Sequence, residues 1–218
     1  MKLLSDCRLY TFVDTAYLRG RKPEWVVERL CAGGSDIIQL RAKGASPDDV
    51  RRMAEAILPV TRKAGVGLVI NDHLAVAAET GAELCHLGQE DFFDAGHTHV
   101  SQLFGAAGQV VQPLIGLSTH SPEQARRALA AEPAYIAVGP VYATGTKPGA
   151  KPVTLEYVRW AAAHVNIPWF AIGGINPGNV REVLAAGARR ICVVSAILDA
   201  PDIAEACREM RREIEGFV

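Results

Sequence analysis

Eight short apolar segments alternate with amphipathic segments along the 218-residue chain, at a spacing of about 25 residues. Each apolar segment is nearly continuous, which is typical of strands buried on both faces of a parallel sheet. We predict strands at Leu9–Val13, Asp36–Arg41, Gly67–Asn71, Leu84–Leu87, Val111–Leu117, Tyr135–Val138, Trp169–Ile172 and Ile191–Val194. Eight strand–helix repeats in a chain of this length favour an α/β fold of the compact (β/α)8 type, a TIM barrel, over a doubly wound sheet.

The segments between the strands carry helix signals. Ser46 with Pro47 is a typical helix start, and Ser121-Pro-Glu-Gln124 predicts a capping box. The predicted helices cover Pro23–Ala32, a long segment from Ser46, Leu74–Thr80, a segment near Val100–Ala107, segments after Ser121, near Thr154 and after Asn176-Pro177, and Ile203–Ile214. No Pro/Gly/Ser-rich linker divides the chain, so we predict one domain over residues 1–218.

The composition excludes several classes of protein. Hydrophobic residues make up 49% of the chain, which is enough for a sizeable core. A net charge of −1 argues against broad electrostatic binding of nucleic acid or of a membrane surface. No apolar run approaches the length of a membrane span, and the N-terminus is charged where a signal sequence would be apolar. We therefore expect a cytoplasmic protein whose partners are small molecules, and we leave self-association into a homo-oligomer open.

The five cysteines are scattered and form no C-x-x-C pair. They are Cys7, Cys31, Cys85, Cys192 and Cys207. Several lie in apolar or helical patterns, so buried free thiols in a reducing compartment are favoured over disulfides or zinc ligands. Neither Cys85 nor Cys192 has a basic partner in the sequence, so we interpret both as core thiols rather than nucleophiles.

Polar or glycine-rich positions follow seven of the eight predicted strands. They are Gln39, Arg41 and Lys43; Asn71 and Asp72; Asp91; Ser118 and His120; Thr144–Lys147; Gly173 and Gly174; and Ser195. In a barrel, all of these positions face the carboxyl-terminal rim, where barrel enzymes have their active sites. The pattern predicts an enzyme-like site at that rim.

The loop Gly139–Lys147 is a candidate phosphate site. Thr144 and Thr146 offer hydroxyl groups, Gly145 a pliable backbone and Lys147 one positive charge, all just after a buried strand. The glycines and hydroxyls after the seventh and eighth strands resemble the phosphate site that barrels often build there. The alternative is an ordinary surface loop made of turn residues.

Asp72 and Asp91 follow adjacent strands and could share one hard divalent cation, for which Mg²⁺ is the best match. Together with the cations Arg41, Lys43 and Lys147, they suit a diphosphate leaving group. Seen alone, each aspartate could equally be a helix cap or a surface carboxylate, and the two strand-end cations could form a structural salt bridge.

The histidines leave alternatives open. His97 and His99 have the spacing of metal ligands, but no third ligand is evident, which favours a solvated helix start. We interpret His86 as a packing histidine in the core or at the rim. The roles of His73 and His120 are not set by the sequence.

The ordered motifs identify a family. They are Gln39-Leu-Arg41-Ala-Lys43, Asn71-Asp72, His86-Leu-Gly-Gln-Glu-Asp91, Ile115-Gly-Leu-Ser118, Gly139-Pro-Val-Tyr-x-Thr-x-Thr-Lys147, Ala171-Ile-Gly-Gly-Ile175 and Val194-Ser195. In this order, the chain resembles the thiamine phosphate synthase (thiamine-phosphate pyrophosphorylase) family. The resemblance implies condensation of a pyrimidine diphosphate with a thiazole phosphate or its 2-carboxy form, with release of pyrophosphate. The loop after Lys147, His73 and the segment after Asp91 depart from the family pattern.

The resemblance also implies a role for each matching residue. The diphosphate would be held by Arg41, Lys43, Asn71, Ser118 and Lys147, with Gln39 near the pyrimidine. Of these, Arg41, Lys43, Ser118 and Lys147 would be the catalytic groups. Asp72 and Asp91 would hold Mg²⁺, and the thiazole phosphate would be bound by Thr144, Thr146, Gly174, Val194 and Ser195.

Three other functions stay open at this stage. A related thiazole tautomerase would share the barrel and the phosphate site, with His120 as its acid or base. A non-catalytic sensor would bind thiazole or thiamine phosphates without turnover. A different barrel enzyme acting on a single phosphate, such as an isomerase, would share only the fold.

Overall fold

The computed structural model describes residues 1–105, 112–145 and 152–217. Eight parallel strands close into a barrel in sequence order, so the predicted (β/α)8 barrel is confirmed. The strands are β1 (Leu9–Asp14), β2 (Ile37–Arg41), β3 (Gly67–Asn71), β4 (Leu84–Leu87), β5 (Leu114–Thr119), β6 (Tyr135–Val138), β7 (Trp169–Ile172) and β8 (Ile191–Cys192).

The described helices are α1 (Pro23–Ala32), α2 (Pro47–Ala64), α3 (Leu74–Thr80), α4 (Pro122–Ala130), α5 (Thr154–His164), α6 (Val180–Ala185), α7 (Ser195–Leu198) and α8 (Ile203–Glu215). Short 3₁₀ turns cover Thr15–Tyr17 and Val100–Leu103, and a π-helical turn covers Glu90–Asp94. No helix within the described ranges combines the length and the apolar character that crossing a membrane requires.

The helix ends follow their local sequence. Ser46 caps α2 by accepting a hydrogen bond from the Asp49 backbone N–H, and Gly65 ends the helix in the left-handed conformation (φ 70°). Ser121 caps α4 by accepting from the Gln124 backbone N–H. The side chain of Gln124 accepts from the backbone N–H of His120, one residue before the cap, so the predicted capping box is displaced by one residue.

Four strands differ from their predicted bounds: β1 and β2 by one residue each, and β5 and β8 by more. β5 begins at Leu114, because Pro113 has no N–H to donate to a ladder, and it continues to Thr119, which pairs with Val138. Val111, the predicted start, lies outside the described residues. β8 ends at Cys192 rather than Val194, because the backbone of Val194 (φ −116°, ψ −87°) turns into α7.

The helix predicted near Val100–Ala107 is not an α-helix in its described part. The segment forms only the 3₁₀ turn Val100–Leu103, and residues 106–111 lie outside the described residues. His99 caps this turn, its Nδ1 accepting from the Ser101 backbone N–H. The favoured interpretation of His99 as part of a helix start is therefore confirmed.

A buried carboxylate ties the amino-terminal end of the barrel together. Asp36 accepts hydrogen bonds from the backbone N–H groups of Arg8 and Leu9, and it pairs with Lys2 and Arg211. Burial alone would raise the pKa of Asp36, but the Lys2 ammonium and the backbone donors together hold that pKa below its usual value. This ion cluster lies at the end of β2 opposite the site described below.

All five cysteines are free, as the sequence predicts, and Cys31 is the one that is only half-buried. Burial raises the pKa of Cys31 and of Cys7 to about 11 and that of Cys207 to about 12. Burial also raises the pKa of Cys192 far above its usual value. Thiols with such pKa values are poor nucleophiles near neutral pH.

Candidate active site

The carboxyl-terminal ends of the strands enclose a cavity of about 510 Å³. Every predicted site residue within the described ranges lines this cavity: Gln39, Arg41, Lys43, Asn71, Asp72, Asp91, Ser118, Thr144, Gly174, Val194 and Ser195. Thr146 and Lys147 lie outside the described residues. The barrel therefore brings together residues from seven strand ends that are far apart in sequence.

Arg41 is held by a carboxylate that the sequence analysis did not single out. Its guanidinium donates to Asp14 Oδ2 at 2.7 Å, and the side chain of Asp14 is only 1% exposed. The two residues are register partners at the ends of β1 and β2. Asp14 Oδ1 also accepts from the Ala16 backbone N–H, so the carboxylate is fixed on both sides. The arginine is thus oriented before any ligand binds, and the 18% of its side chain that is exposed remains accessible from the cavity.

Lys43 and Asp72 form a second ion pair at the rim, with 2.5 Å between Nζ and Oδ2. Asp72 has a backbone φ of 63°, a left-handed conformation that is uncommon for a residue other than glycine. Its backbone N–H donates to the carbonyl oxygen of His86 at 2.9 Å, so the strained turn is tied to the end of β4. Backbone strain of this kind is concentrated at functional sites.

The turn after β4 places the second predicted aspartate. Asp91 is an exposed residue of the π-helical turn, and its Oδ2 accepts from the Gly88 backbone N–H at 3.1 Å. Gln89 donates to the backbone carbonyl of Ser118 at 2.5 Å and so connects this turn to β5. The buried ring of Phe92 anchors the turn to the core.

A continuous chain of side-chain hydrogen bonds crosses the barrel interior beneath the cavity. Gln39 Nε2 donates to the hydroxyl of Tyr10 at 2.6 Å, and that hydroxyl lies 3.1 Å from the hydroxyl of Tyr135. Tyr135 contacts His86 Nδ1 at 3.0 Å, and His86 Nε2 contacts Ser118 Oγ at 2.9 Å. The prediction of His86 as a packing residue was therefore incomplete: it is buried, but both ring nitrogens are engaged and it lines the cavity.

Gly116 in β5 makes this chain possible. A Cβ atom at Gly116 would lie 2.0 Å from Cζ of Tyr135, so the tyrosine ring occupies the space that any larger residue would need. The ring of Tyr135 also packs edge-on against Tyr10 and Phe170. Burial raises the pKa of both tyrosines well above the usual value, so each hydroxyl keeps its proton.

Glycines form the opposite wall of the cavity, at the end of β7. Gly173 and Gly174 have φ values of 104° and 64°, which favour glycine strongly. A Cβ at Gly173 would lie 2.4 Å from Cβ of Pro140, and one at Gly174 would lie 2.6 Å from the carbonyl oxygen of Ala143. The loop after β6 therefore packs directly on these glycines, and no side chain could be added between them.

Val194 and Ser195 complete this wall at the start of α7. The wall is formed by backbone and small side chains, whereas the wall formed by β2 to β4 carries Arg41, Lys43, Asp72 and Asp91. The cavity is therefore divided into a strongly charged side and a glycine- and hydroxyl-rich side.

His120 also lines the cavity, and 2.5 Å separate its Nδ1 from the carbonyl oxygen of Gly139. Because a carbonyl oxygen only accepts, Nδ1 carries the proton in this contact. The ring is thereby oriented by the backbone at the end of β6.

Among the described residues, four carboxylate side chains line the cavity, those of Asp72, Glu90, Asp91 and Asp94. Within residues 1–105, 112–145 and 152–217, no group of three or more His, Cys, Asp or Glu side chains lies close enough to hold a metal by itself. Asp72 and Asp91 nevertheless line the same cavity and offer hard oxygen ligands. Mg²⁺ commonly binds through one or two carboxylates together with water and substrate phosphates, so the residues fit such an ion.

The sequence analysis missed Asp14, Tyr10 and Tyr135. Asp14 was detectable, because it is the polar residue that ends the first strand and would have extended the strand-end pattern to all eight strands. The two tyrosines gave no such signal, because a tyrosine in an apolar strand is normally a packing residue.

The chain is similar to known proteins over most or all of its length. The family model for thiamine monophosphate synthase matches residues 9–197. Thiamine-phosphate synthase from Thermus thermophilus is 45% identical over 190 residues, which cover 87% of each protein, and that from Acidothermus cellulolyticus is 42% identical over 94% of each. Among solved structures, thiamine phosphate pyrophosphorylase from Pyrococcus furiosus has a TM-score of 0.85 and 29% identity over 100% of both chains.

Proposed function

The chain belongs to the thiamine monophosphate synthase family and is a transferase; on this basis we propose that it joins a pyrimidine diphosphate to a thiazole phosphate. The pyrimidine substrate is 4-amino-5-hydroxymethyl-2-methylpyrimidine diphosphate, and the acceptor is 4-methyl-5-(2-phosphoethyl)thiazole. The products are thiamine monophosphate and pyrophosphate. The observation that carries the proposal is the division of one cavity into a charged wall and a glycine-rich wall, which suits two different phosphorylated groups.

The charged wall is the proposed diphosphate subsite. Arg41 is oriented by the buried Asp14, so its exposed face is available to a ligand without reorganisation. Lys43 adds a second cation and Asn71 a polar group on the same wall, and Ser118 adds a hydroxyl from the adjacent strand β5. A diphosphate needs this concentration of positive charge, because its oxygens share several negative charges. Lys147, outside the described residues, keeps its predicted role in this subsite.

Asp72 and Asp91 are the residues that would hold Mg²⁺. When bound there with the diphosphate, the ion would neutralise part of the negative charge that develops on the leaving group. Asp72 is paired with Lys43, and Asp91 accepts a hydrogen bond from the Gly88 backbone N–H. Both carboxylates are therefore oriented before the ion binds.

The glycine-rich wall is the proposed thiazole phosphate subsite. Gly174, Val194 and Ser195 offer closely approachable backbone and one hydroxyl, which suit a phosphate monoester that needs no metal. Thr144 lies on the same side, and Thr146, outside the described residues, keeps its predicted role. In this proposal, the thiazole ring lies between the two subsites, beside the pyrimidine.

We propose a dissociative substitution. The bond between the pyrimidine methylene carbon and the diphosphate oxygen breaks, and its electron pair leaves with pyrophosphate. The pyrimidine-stabilised cation is then captured by the lone pair of the thiazole nitrogen. Arg41, Lys43 and Ser118 stabilise the charge on the departing oxygens, and Gln39 orients the pyrimidine. This mechanism needs no enzymic nucleophile, and the raised pKa of Cys192, the thiol that lines the cavity, agrees with that.

A cytoplasmic location is part of the proposal. Its support is the set of five free cysteines, which is typical of a reducing compartment.

The test is a pyrophosphate-release assay in which the pyrimidine diphosphate, the thiazole phosphate and Mg²⁺ are omitted one at a time. The proposal predicts release only when all three are present, with formation of an equal amount of thiamine monophosphate. Comparing the thiazole with its 2-carboxy form identifies the preferred acceptor. Binding of the thiazole phosphate without any pyrophosphate release would contradict the proposal and favour the tautomerase or the sensor.

A further inference from the structure

In the hydrogen-bond chain from Gln39 to Ser118, the donor and the acceptor of each bond can be assigned. The amide Nε2 of Gln39 faces the Tyr10 oxygen at 2.6 Å, and with the amide in this orientation Gln39 donates and Tyr10 accepts; the reversed amide would place Oε1 there and reverse every later bond of the chain. The Tyr10 proton then needs an acceptor of its own, and the hydroxyl oxygen of Tyr135 is the one within reach at 3.1 Å. Tyr10 therefore donates to Tyr135.

The donors and acceptors in the second half of the chain follow from those in the first half. The Tyr135 oxygen accepts from Tyr10, so its proton is directed to His86 Nδ1 at 3.0 Å. A nitrogen that accepts carries no proton, so the proton of the neutral imidazole lies on Nε2. Nε2 then donates to Ser118 Oγ at 2.9 Å.

With the Gln39 amide in this orientation, the opposite direction would leave a buried donor unsatisfied. If Tyr135 donated to Tyr10, the Tyr10 oxygen would accept two hydrogen bonds, and its own proton would have no further acceptor among the hydrogen bonds of the described residues. Tyr10 is 1% exposed, so little of it is open to water. An unsatisfied buried donor is strongly unfavourable, and the described residues contain no buried side-chain polar atom without a partner.

We propose that Tyr10, Tyr135 and His86 are positioning residues that fix the direction of the Ser118 hydroxyl. Because Ser118 Oγ already accepts from His86, its single proton is released from the protein network and points into the cavity. On the proposed function, the Ser118 hydroxyl donates a hydrogen bond to an oxygen of the departing pyrophosphate and keeps its proton. The inference concerns a tautomer and a hydrogen-bond direction, and it involves no proton transfer.

The direction matters because a serine hydroxyl has one proton and two lone pairs. With the proton turned toward His86, only lone pairs would face the diphosphate oxygens, and both groups would be acceptors. With the proton turned into the cavity, Ser118 stabilises negative charge as it develops. The buried chain thus decides whether Ser118 assists or opposes departure of the leaving group.

The first test uses the ligand-free protein and needs no substrate. Nitrogen-15 NMR of labelled histidine distinguishes the two tautomers, and the resonances of His86 are assigned by their loss in His86→Asn. We expect protonation at Nε2 alone. Protonation at Nδ1, alone or together with Nε2, would overturn the proposal. This result is independent of whether the chain has the proposed synthase activity.

The second test is a double-mutant cycle between Tyr135→Phe and Ser118→Ala. Tyr135→Phe removes the donor to His86 Nδ1, so the serine proton is free to turn toward the ring, and kcat should fall about 3- to 10-fold. In the Ser118→Ala background, the same change should alter kcat by less than about twofold, because the group it acts on is gone. An equal loss in both backgrounds would show that Tyr135 acts only through packing and would contradict the proposal.

Phe170→Leu provides the matched packing control. Phe170 contacts the rings of both Tyr10 and Tyr135 but has no hydroxyl and does not belong to the hydrogen-bond chain. This variant should lose stability and keep the Nε2 protonation of His86. A changed His86 tautomer in Phe170→Leu would show that ring packing, rather than the hydroxyl chain, sets the tautomer.

Discussion

The carboxylate of Asp14 and the guanidinium of Arg41 meet at 2.7 Å across the adjacent ends of β1 and β2. The aspartate is almost fully buried, and it also accepts from the backbone of the following turn. Asp14 is therefore held in place by the backbone, and it in turn orients the guanidinium of Arg41. A cation oriented before the substrate arrives loses little conformational entropy on binding, which is the basis of electrostatic preorganisation.

Asp14→Asn should weaken this orientation while keeping an oxygen for the Ala16 backbone N–H. We expect KM for the pyrimidine diphosphate to rise about tenfold, because a hydrogen bond to a charged group is worth about 1.5–3 kcal/mol. KM for the thiazole phosphate should be unchanged. Steady-state kinetics with each substrate varied in turn measures both values.

Asp48→Asn is the control for the loss of a carboxylate that pairs with an arginine. Asp48 pairs with Arg51 on the exposed face of α2, where such a pair contributes little. If Asp14→Asn changed KM for the pyrimidine diphosphate as little as Asp48→Asn does, the buried pair would have no role in substrate binding.

Asp91→Asn should lower Mg²⁺-dependent turnover at least about a hundredfold, because it removes one of the two proposed carboxylate ligands. The substitution keeps an oxygen that can accept from the Gly88 backbone N–H, so the turn after β4 should be preserved. Binding of the thiazole phosphate, measured by calorimetry, should stay nearly unchanged.

Asp94→Asn is the matched variant on the same turn. Asp94 also lines the cavity but has no proposed metal role, so turnover should fall less than about threefold. Normal Mg²⁺ dependence in Asp91→Asn would remove Asp91 from the metal site, and a large loss in Asp94→Asn would place Asp94 there instead.

Gly116→Ala should destabilise the protein by about 1–3 kcal/mol and also lower kcat. The added methyl group would meet the ring of Tyr135, and moving that ring displaces the hydroxyl that contacts His86. Denaturant unfolding and kinetics measure the two effects. Gly105→Ala, where a Cβ would meet no atom of the described residues within 4 Å, should change stability by less than about 0.5 kcal/mol. Equal behaviour of the two variants would show that the barrel accommodates the methyl group without moving Tyr135.

Asp36→Asn should lower the free energy of unfolding at pH 7 by about 2 kcal/mol, because the amide cannot form ion pairs with Lys2 and Arg211. The folded-state pKa of Asp36 is depressed, so its stabilisation is present above the unfolded pKa and is lost as the pH falls through the folded pKa. The stabilities of the two proteins should therefore converge only as the pH falls below the folded-state pKa of Asp36, which lies below the unfolded value of about 3.9. A constant difference at all pH values would contradict the electrostatic explanation.

The sequence predicted the barrel and most of the rim because both depend on local patterns. Parallel strands buried on two faces are nearly continuous apolar runs, and the polar residue at each strand end marks the rim without knowledge of any contact. Arg41, Asp72 and Ser118 could be assigned to one site for this reason alone.

The contacts among these residues could not be predicted in the same way. The pairing of Arg41 with Asp14 depends on the register of β1 against β2, and the chain through Tyr135 depends on a ring that reaches across the barrel into the space left by Gly116. Both are tertiary relationships between distant segments. The same holds for the early end of β8, where the turn into α7 overrides the strand propensity of Val193 and Val194.

The central claim is that one cavity holds a diphosphate on its charged wall and a phosphate on its glycine-rich wall. The most direct measurement is KM for both substrates in Arg41→Ala and in Ser195→Ala. We predict that Arg41→Ala raises KM for the pyrimidine diphosphate at least about tenfold and leaves that for the thiazole phosphate within about twofold, and that Ser195→Ala does the reverse. If each variant raised both KM values equally, the two phosphorylated groups would not occupy separate walls, and the account would be wrong.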